Sequence, residues 1–157
     1  MAKSSVPWKP WHEVVTLRED VRTGELSLNL FAADLYEVKK GTARKVYQDP
    51  YEFFSLTYPT HNLRELAKEV IYRLAGENDK AVRQLELTYG GGKTHTLITL
   101  LHLVTNPDTL PDLPAVDQFR ATFGGMTPPK ALVAVLPFDK LDVEKGMEIG
   151  DPEGNMR

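Results

Sequence analysis

The segment Leu87-Thr88-Tyr89-Gly90-Gly91-Gly92-Lys93-Thr94 constrains this chain more than any other. Before it, Val82-Arg83-Gln84-Leu85-Glu86-Leu87 alternates as a strand does, and the glycines halt the alternation. After it, Leu97, Ile98, Leu100, Leu101, Leu103 and Val104 cover most of a helix's circumference, which predicts a helix over 93–104 buried on more than one side. A glycine turn between strand and helix, followed by Lys and Thr, is the end of the pattern G-x-x-x-x-G-K-[ST].

The chemistry of that pattern depends on residue type. Several backbone N–H groups must point inward at a triphosphate, in conformations that only glycine reaches cheaply, here at Gly90, Gly91 and Gly92. The helix start adds its positive dipole end. Lys93 would place its ammonium on the β- and γ-phosphates of ATP, and the Thr94 hydroxyl would coordinate magnesium. The pattern's first glycine is replaced by Leu87, so the turn out of the strand must be made differently. The competing reading is a glycine turn with no ligand.

Elsewhere the spacing is mostly helical. Thr16-Leu17-Arg18-Glu19 has the form of a capping box, with a short helix ending near Gly24. Leu28, Phe31, Leu35 and Val38 fall on one helical face between a Ser27 cap and Gly41. Asp49-Pro50-Tyr51-Glu52 opens another helix, closed by Pro59. Asn62-Leu63-Arg64-Glu65 starts a fourth, with its apolar stripe on Leu63, Leu66, Val70, Ile71 and Leu74 and its stop at Gly76. Asn106-Pro107 ends the helix after the glycines, and 116–123 reads as one more short helix. Ala131-Leu132-Val133-Ala134-Val135-Leu136 is a continuous apolar run stopped by Pro137, the pattern of a strand buried on both faces of a parallel sheet.

These elements predict an α/β fold: a P-loop NTPase core of βαβ form with parallel strands, preceded by a helical amino-terminal region. Residues 1–77 would form the helical region, and 78–157 the start of an incomplete NTPase domain.

Composition excludes several classes. A formal net charge of -3 argues against a surface built as a platform for nucleic acid, which needs clustered Lys and Arg. The absence of cysteine excludes disulfide frameworks and thiolate metal sites and points to a reducing cytoplasm. No stretch approaches the ~18 apolar residues of a membrane span, and the start has no apolar signal region.

Three further groups bear on chemistry. His95 follows the loop and could approach a phosphate, although a histidine at a helix start is more often an ordinary hydrogen-bonding group. His95 and His102 are too far apart along a helix to share a metal. Asp139, with Asp142 behind it, is the candidate for the acidic residue that holds magnesium or orients water, though Pro137-Phe138 interrupts the expected run of strand into acid. Trp8 and Trp11 read as packing against the first helix rather than as an exposed pair.

At 11–21, at Asn62-Leu63-Arg64-Glu65-Leu66-Ala67, at 85–95 and at Val133-Ala134-Val135-Leu136-Pro137-Phe138-Asp139, the chain resembles the amino-terminal part of the large AAA-type ATPases called domain of unknown function family 499. The resemblance implies a longer protein, similar to ATPases found beside DNA methyltransferases and helicases in bacterial and archaeal anti-phage or restriction islands. It carries phosphate binding onto Gly90, Gly92, Lys93 and Thr94. The family also lacks the first glycine, as at Leu87. It further implies that Arg157 is not a natural end, that the acidic strand and arginine finger lie beyond it, and that the full protein works with protein partners from such a locus, as a possible homo-oligomer. The rival expectations are a non-hydrolysing module that binds nucleotide or a partner protein, and a small-molecule kinase or GTPase. No Asn-Lys-x-Asp guanine-reading motif is present.

Overall fold

The computed structural model describes residues 8–17, 19–24, 33–88 and 90–138. Several expectations fall outside them: the Ser27 cap with Leu28 and Phe31, the side chain of Glu19 in the Thr16 box, Asp139 and Asp142, and the loop after 150. The chain divides into two compact units, Met1–Ala32 and Ala33–Arg157.

In the first unit, α1 (Trp11–Val14) and α2 (Glu19–Thr23) are short helices, and Gly24 follows α2 at φ 73°. Trp8 is 99% exposed and Trp11 67% exposed, so neither packs as expected.

The second unit is built from helices. α3 (Leu35–Lys40) starts at Asp34, whose carboxylate accepts from the Tyr36 and Glu37 N–H groups, and it stops at left-handed Gly41. α4 (Lys45–Gln48) leads directly to α5 (Pro50–Ser55). Asp49 caps α5 by accepting from Tyr51 N at 2.9 Å with Pro50 in the first turn. The spacing of Asp49 and Glu52 also fits a capping box, but Glu52 pairs with Lys45 at 3.1 Å and Asp49 N donates to Lys45 O instead. α6 (His61–Leu74) begins one residue ahead of the expected opening at Asn62, because the Thr60 hydroxyl accepts from Leu63 N as its cap. α7 (Lys93–Thr105) is followed by a single 3-10 turn at Pro107–Thr109 and by α8 (Pro114–Thr122).

α7 buries Ile98, Thr99, Leu101, His102, Leu103 and Val104. Successive residues of a helix point 100° apart, so this run leaves no solvent face over its second half. α3 and α6 pack on it, and α6 and α5 also meet α8. The aromatic centre joins them: Phe53 and Phe54 of α5 meet edge to face at 5.4 Å, Phe54 meets Phe119 of α8 at 6.0 Å, and Phe119 lies 6.3 Å from Phe123.

The expected α/β architecture is overturned: among the described residues there is no strand and no sheet, so no parallel-strand P-loop core is seen. The reason lies in the two apolar segments. A parallel ladder needs each segment to exchange backbone bonds with a neighbour. Neither 82–87 nor 131–136 has such a partner among the described residues. Residues 131–137 lie against α7 instead, through Ala131 N donating to Val104 O at 2.9 Å. That segment keeps the period of two but buries one face only. Ala131, Val133 and Val135 turn inward, while Leu132 is 86% exposed and Leu136 half exposed. An unbroken apolar run does not distinguish one buried face from two. Segment 82–87 is held by charge, with Arg83 Nε donating to Glu69 Oε2 at 2.7 Å and Val82 exposed.

Phe119, wholly buried at the meeting of α5, α6 and α8, and Leu132, mostly exposed, give opposite expectations. Phe119→Ala should lose about 3–5 kcal/mol in urea unfolding. Leu132→Ala should stay within about 0.5 kcal/mol of the parent.

Candidate functional site

Residues 80–88 run without regular structure from the end of α6 to the glycines. There the chain turns back on itself, Gly91 N donating to Thr88 O at 3.0 Å. Each glycine has its own reason. Gly90 and Gly92 sit at φ 76° and 83°, where a side chain is strained. Gly91 is required by space: a Cβ there would lie 2.9 Å from Leu87 Cβ and 3.0 Å from Thr88 O. The Leu87 that replaces the pattern's first glycine therefore packs directly under the middle glycine, Gly91.

Gly92 caps α7 and offers no side chain to its first N–H groups. Those groups and the helix dipole face the exposed loop. Lys93 bends back over the turn, its ammonium donating to Leu87 O at 2.9 Å and Thr88 O at 3.1 Å. Cation, glycines and helix start are thus brought together at one exposed corner.

Thr94 is half-buried and lines a cleft of about 480 Å³ with Asp34, Tyr36, Leu97 and Pro137 among its walls. Asp34 and Tyr36 come from the start of α3, far from the loop in sequence, and no spacing rule could have connected them with Thr94. The capping role of Asp34 was missed, because the apolar spacing carried one helix through it from Ser27 to Gly41. Its neighbour across the cleft has no trace in spacing either.

His95 turns away from the loop into the core. Its ring stacks on Phe53 at 4.7 Å, and its Nε2 lies 3.3 Å from the Thr57 hydroxyl. That hydroxyl spends its single proton on Phe53 O at 2.8 Å. His95 Nε2 must therefore carry the proton and donate. His102 behaves alike, with Nε2 donating to Tyr47 O at 2.8 Å. Burial lowers the pKa of both rings below the ordinary 6.5; for His102 the Tyr47 carbonyl and the Asp49 charge oppose it without reversing it. Asp139, the expected acidic partner, lies outside the described residues.

The DUF499 N-terminal domain matches residues 10–127. The chain belongs to the DUF499 family. No curated protein and no solved structure matches it. Within this DUF499 domain the matched span includes the whole glycine corner, the Phe53 and Thr57 seat of His95 and all of α3 to α8. The segment 131–138 follows it. Among the described residues no helix is long and apolar enough to cross a membrane.

The buried imidazoles set a pH dependence. The unfolded chain takes up protons at the ordinary histidine pKa of 6.5, while the folded rings resist until lower pH. Proton uptake by the unfolded state then favours unfolding, so stability rises with pH through this window. Urea midpoints should be level from pH 8 to 7 and fall as pH drops below 6.5, by at most about 1.4 kcal/mol per pH unit for each ring. His102→Gln should flatten that fall. A fall of unchanged steepness would show that His102 takes no part. Gly91→Ala should disturb the loop, measured as loss of the backbone amide resonances of Leu87 and Thr88 from their native positions.

Proposed function

We propose that the corner formed by Gly90, Gly91, Gly92, Lys93 and Thr94 binds the phosphate tail of ATP with magnesium, and that the chain is the ATP-binding portion of an AAA-type ATPase in a bacterial or archaeal anti-phage or DNA-modification system. The observation that carries this reading is the Lys93 ammonium folded across a three-glycine turn set on an uncapped helix start. It does not depend on a sheet. Phosphate oxygens would take the place of the two carbonyls on Lys93 and accept from the first N–H groups of α7. The Thr94 hydroxyl, at the edge of the Asp34 cleft, is the magnesium ligand in this reading.

Work on a DNA-associated complex, protein partners from a methyltransferase or helicase locus, homo-oligomerisation of a longer protein and a cytoplasmic location belong to the same proposal and rest on the family membership. His95 supports the site from behind, since its bonds fix the first turn of α7 against α5.

Calorimetry with ATP and magnesium tests the assignment. Lys93→Ala should abolish binding and leave the melting temperature unchanged, because the side chain is exposed and touches only loop carbonyls. Undiminished affinity would overturn the reading. Thr94→Ala should lose chiefly the magnesium dependence. In a phosphate-release assay the 157-residue chain should not exceed its Lys93→Ala background. Hydrolysis needs charge stabilisation on both sides of the γ-phosphate and a positioned water, whose loss costs several orders of magnitude. Turnover that vanishes in Asp139→Asn would make the chain a self-sufficient ATPase.

A further inference from the structure

Segment 131–137 lies on α7 with most of its backbone groups unspent. Burial alternates along it: Ala131, Val133, Val135 and Pro137 turn inward, while Leu132, Ala134 and Leu136 are exposed, with Lys130 before them and Phe138 after them exposed as well. A period of two in burial belongs to an extended chain, in which the N–H and C=O groups of alternate residues point to the same edge. The two edges differ here. On the edge of the odd-numbered residues, Pro129 and Pro137 have no N–H, and the Ala131 N–H is given to Val104 O at 2.9 Å. On the edge of the even-numbered residues, Leu132, Ala134 and Leu136 all keep their N–H and C=O groups, and none of these is bonded to any described residue. A cleft of about 400 Å³ opens beside 131–135, so the flank of the segment is not walled off.

The exposed order Lys130, Leu132, Ala134, Leu136, Phe138 is complementary to its own reverse. A second copy laid antiparallel, with the two-fold axis at Ala134, sets Leu132 against Leu136 on both sides of the axis and Ala134 against its own counterpart. Each of these pairs exchanges both backbone bonds. At the two ends, the Lys130 ammonium of one copy comes to the Phe138 ring of the other, an attractive meeting of cation and aromatic face. The interface is isologous, since one patch serves both copies. It also closes at two copies: the odd-numbered edge keeps only the N–H groups of Val133 and Val135, too few to seat a third strand. An order that matches its own reverse about one residue fits a second copy, whereas a foreign peptide would pair with any apolar alternation.

We propose that segment 131–137 is a homodimer interface, in which two copies of this chain pair antiparallel along the even-numbered edge about Ala134. A single strand edge is smaller than the ~800 Å² per partner of a standard interface, so the dimer is weak and depends on concentration. The pairing does not rest on the phosphate reading of the glycine corner.

Sedimentation of the 157-residue chain over a hundredfold range of concentration should show monomer and dimer in exchange, and Lys93→Ala should dimerise as the parent does. Ala134→Pro removes the N–H at the axis but no bond within the chain, and it suits an extended backbone. It should raise the dissociation constant at least tenfold and leave the melting temperature of the dilute monomer unchanged. Cross-linking reads the register, since the chain has no cysteine of its own. Ala134→Cys brings two thiols together at the axis, where facing Cα atoms lie ~5.5 Å apart, and should oxidise to a covalent dimer. Leu132→Cys leaves its counterpart about 14 Å away along the strand, beyond disulfide reach, and should stay monomeric under the same oxidant. Three results would each overturn the proposal: a monomer at every concentration, even one that takes up an added extended peptide; a dimer that Ala134→Pro leaves intact; and equal cross-linking of the two cysteine variants.

Discussion

Everything in the second unit depends on a helix with almost no side to give to water. From Ile98 to Val104, α7 presents apolar or internally bonded side chains in nearly every direction, and Thr99 and Thr105 return their hydroxyl protons to carbonyls one turn back. Such a helix is stable only inside a shell. α3, α5, α6 and the segment 131–137 supply it, with α8 closing the aromatic centre from behind. At about 1.5–3 kcal/mol for each fully buried side chain, the burial of Phe53, Phe54, Phe119 and Phe123 is comparable to the whole net stability of a domain, roughly 5–15 kcal/mol. The glycine corner is exposed because it is the one end of α7 that this shell does not cover.

Two histidines inside the shell show how polar groups are tolerated there. Each gives its proton to a single oxygen, Thr57 for His95 and the Tyr47 carbonyl for His102, and each leans on the face or edge of Phe53. Phe53 is therefore both core and furniture for the two rings. Its position between them couples the order of α5 to both ends of α7.

The sequence made the helices legible wherever a local rule governed them. Asp49 with Pro50, Gly41 at the end of α3 and the apolar stripe of α6 are short-range physics and were read close to where they lie. The helix α7 and its burial on several sides were legible from the apolar residues that run round its circumference. Strands were not, because a strand is a relation between segments rather than a property of one. The alternation at 82–87 and the run at 131–136 hold everything a strand needs except a neighbour. Of the candidate site, Gly90, Gly91, Gly92, Lys93 and Thr94 lie together because the pattern that singles them out is contiguous. The reason for Gly91 was hidden, because it depends on Leu87 folding beneath it. The pairing of Thr94 with Asp34, and the inward turn of His95, are tertiary facts with no trace in spacing.

The seat of His95 bears on how the corner can move. Its ring, stacked on Phe53 and bonded to Thr57, anchors the first turn of α7 to α5, and Thr99 bonds back to the His95 carbonyl. The floor of the corner is thus bolted to the core, while the described rim residues, 88 and 90–92, meet that floor through the Lys93 ammonium on Thr88 O and through Thr96 N donating to Gly92 O. In the proposed reading, a guest displaces rim contacts and leaves the His95 contacts in place. Adaptation to a guest falls, in that reading, to this short rim, and its cost is the two carbonyl bonds that Lys93 gives up.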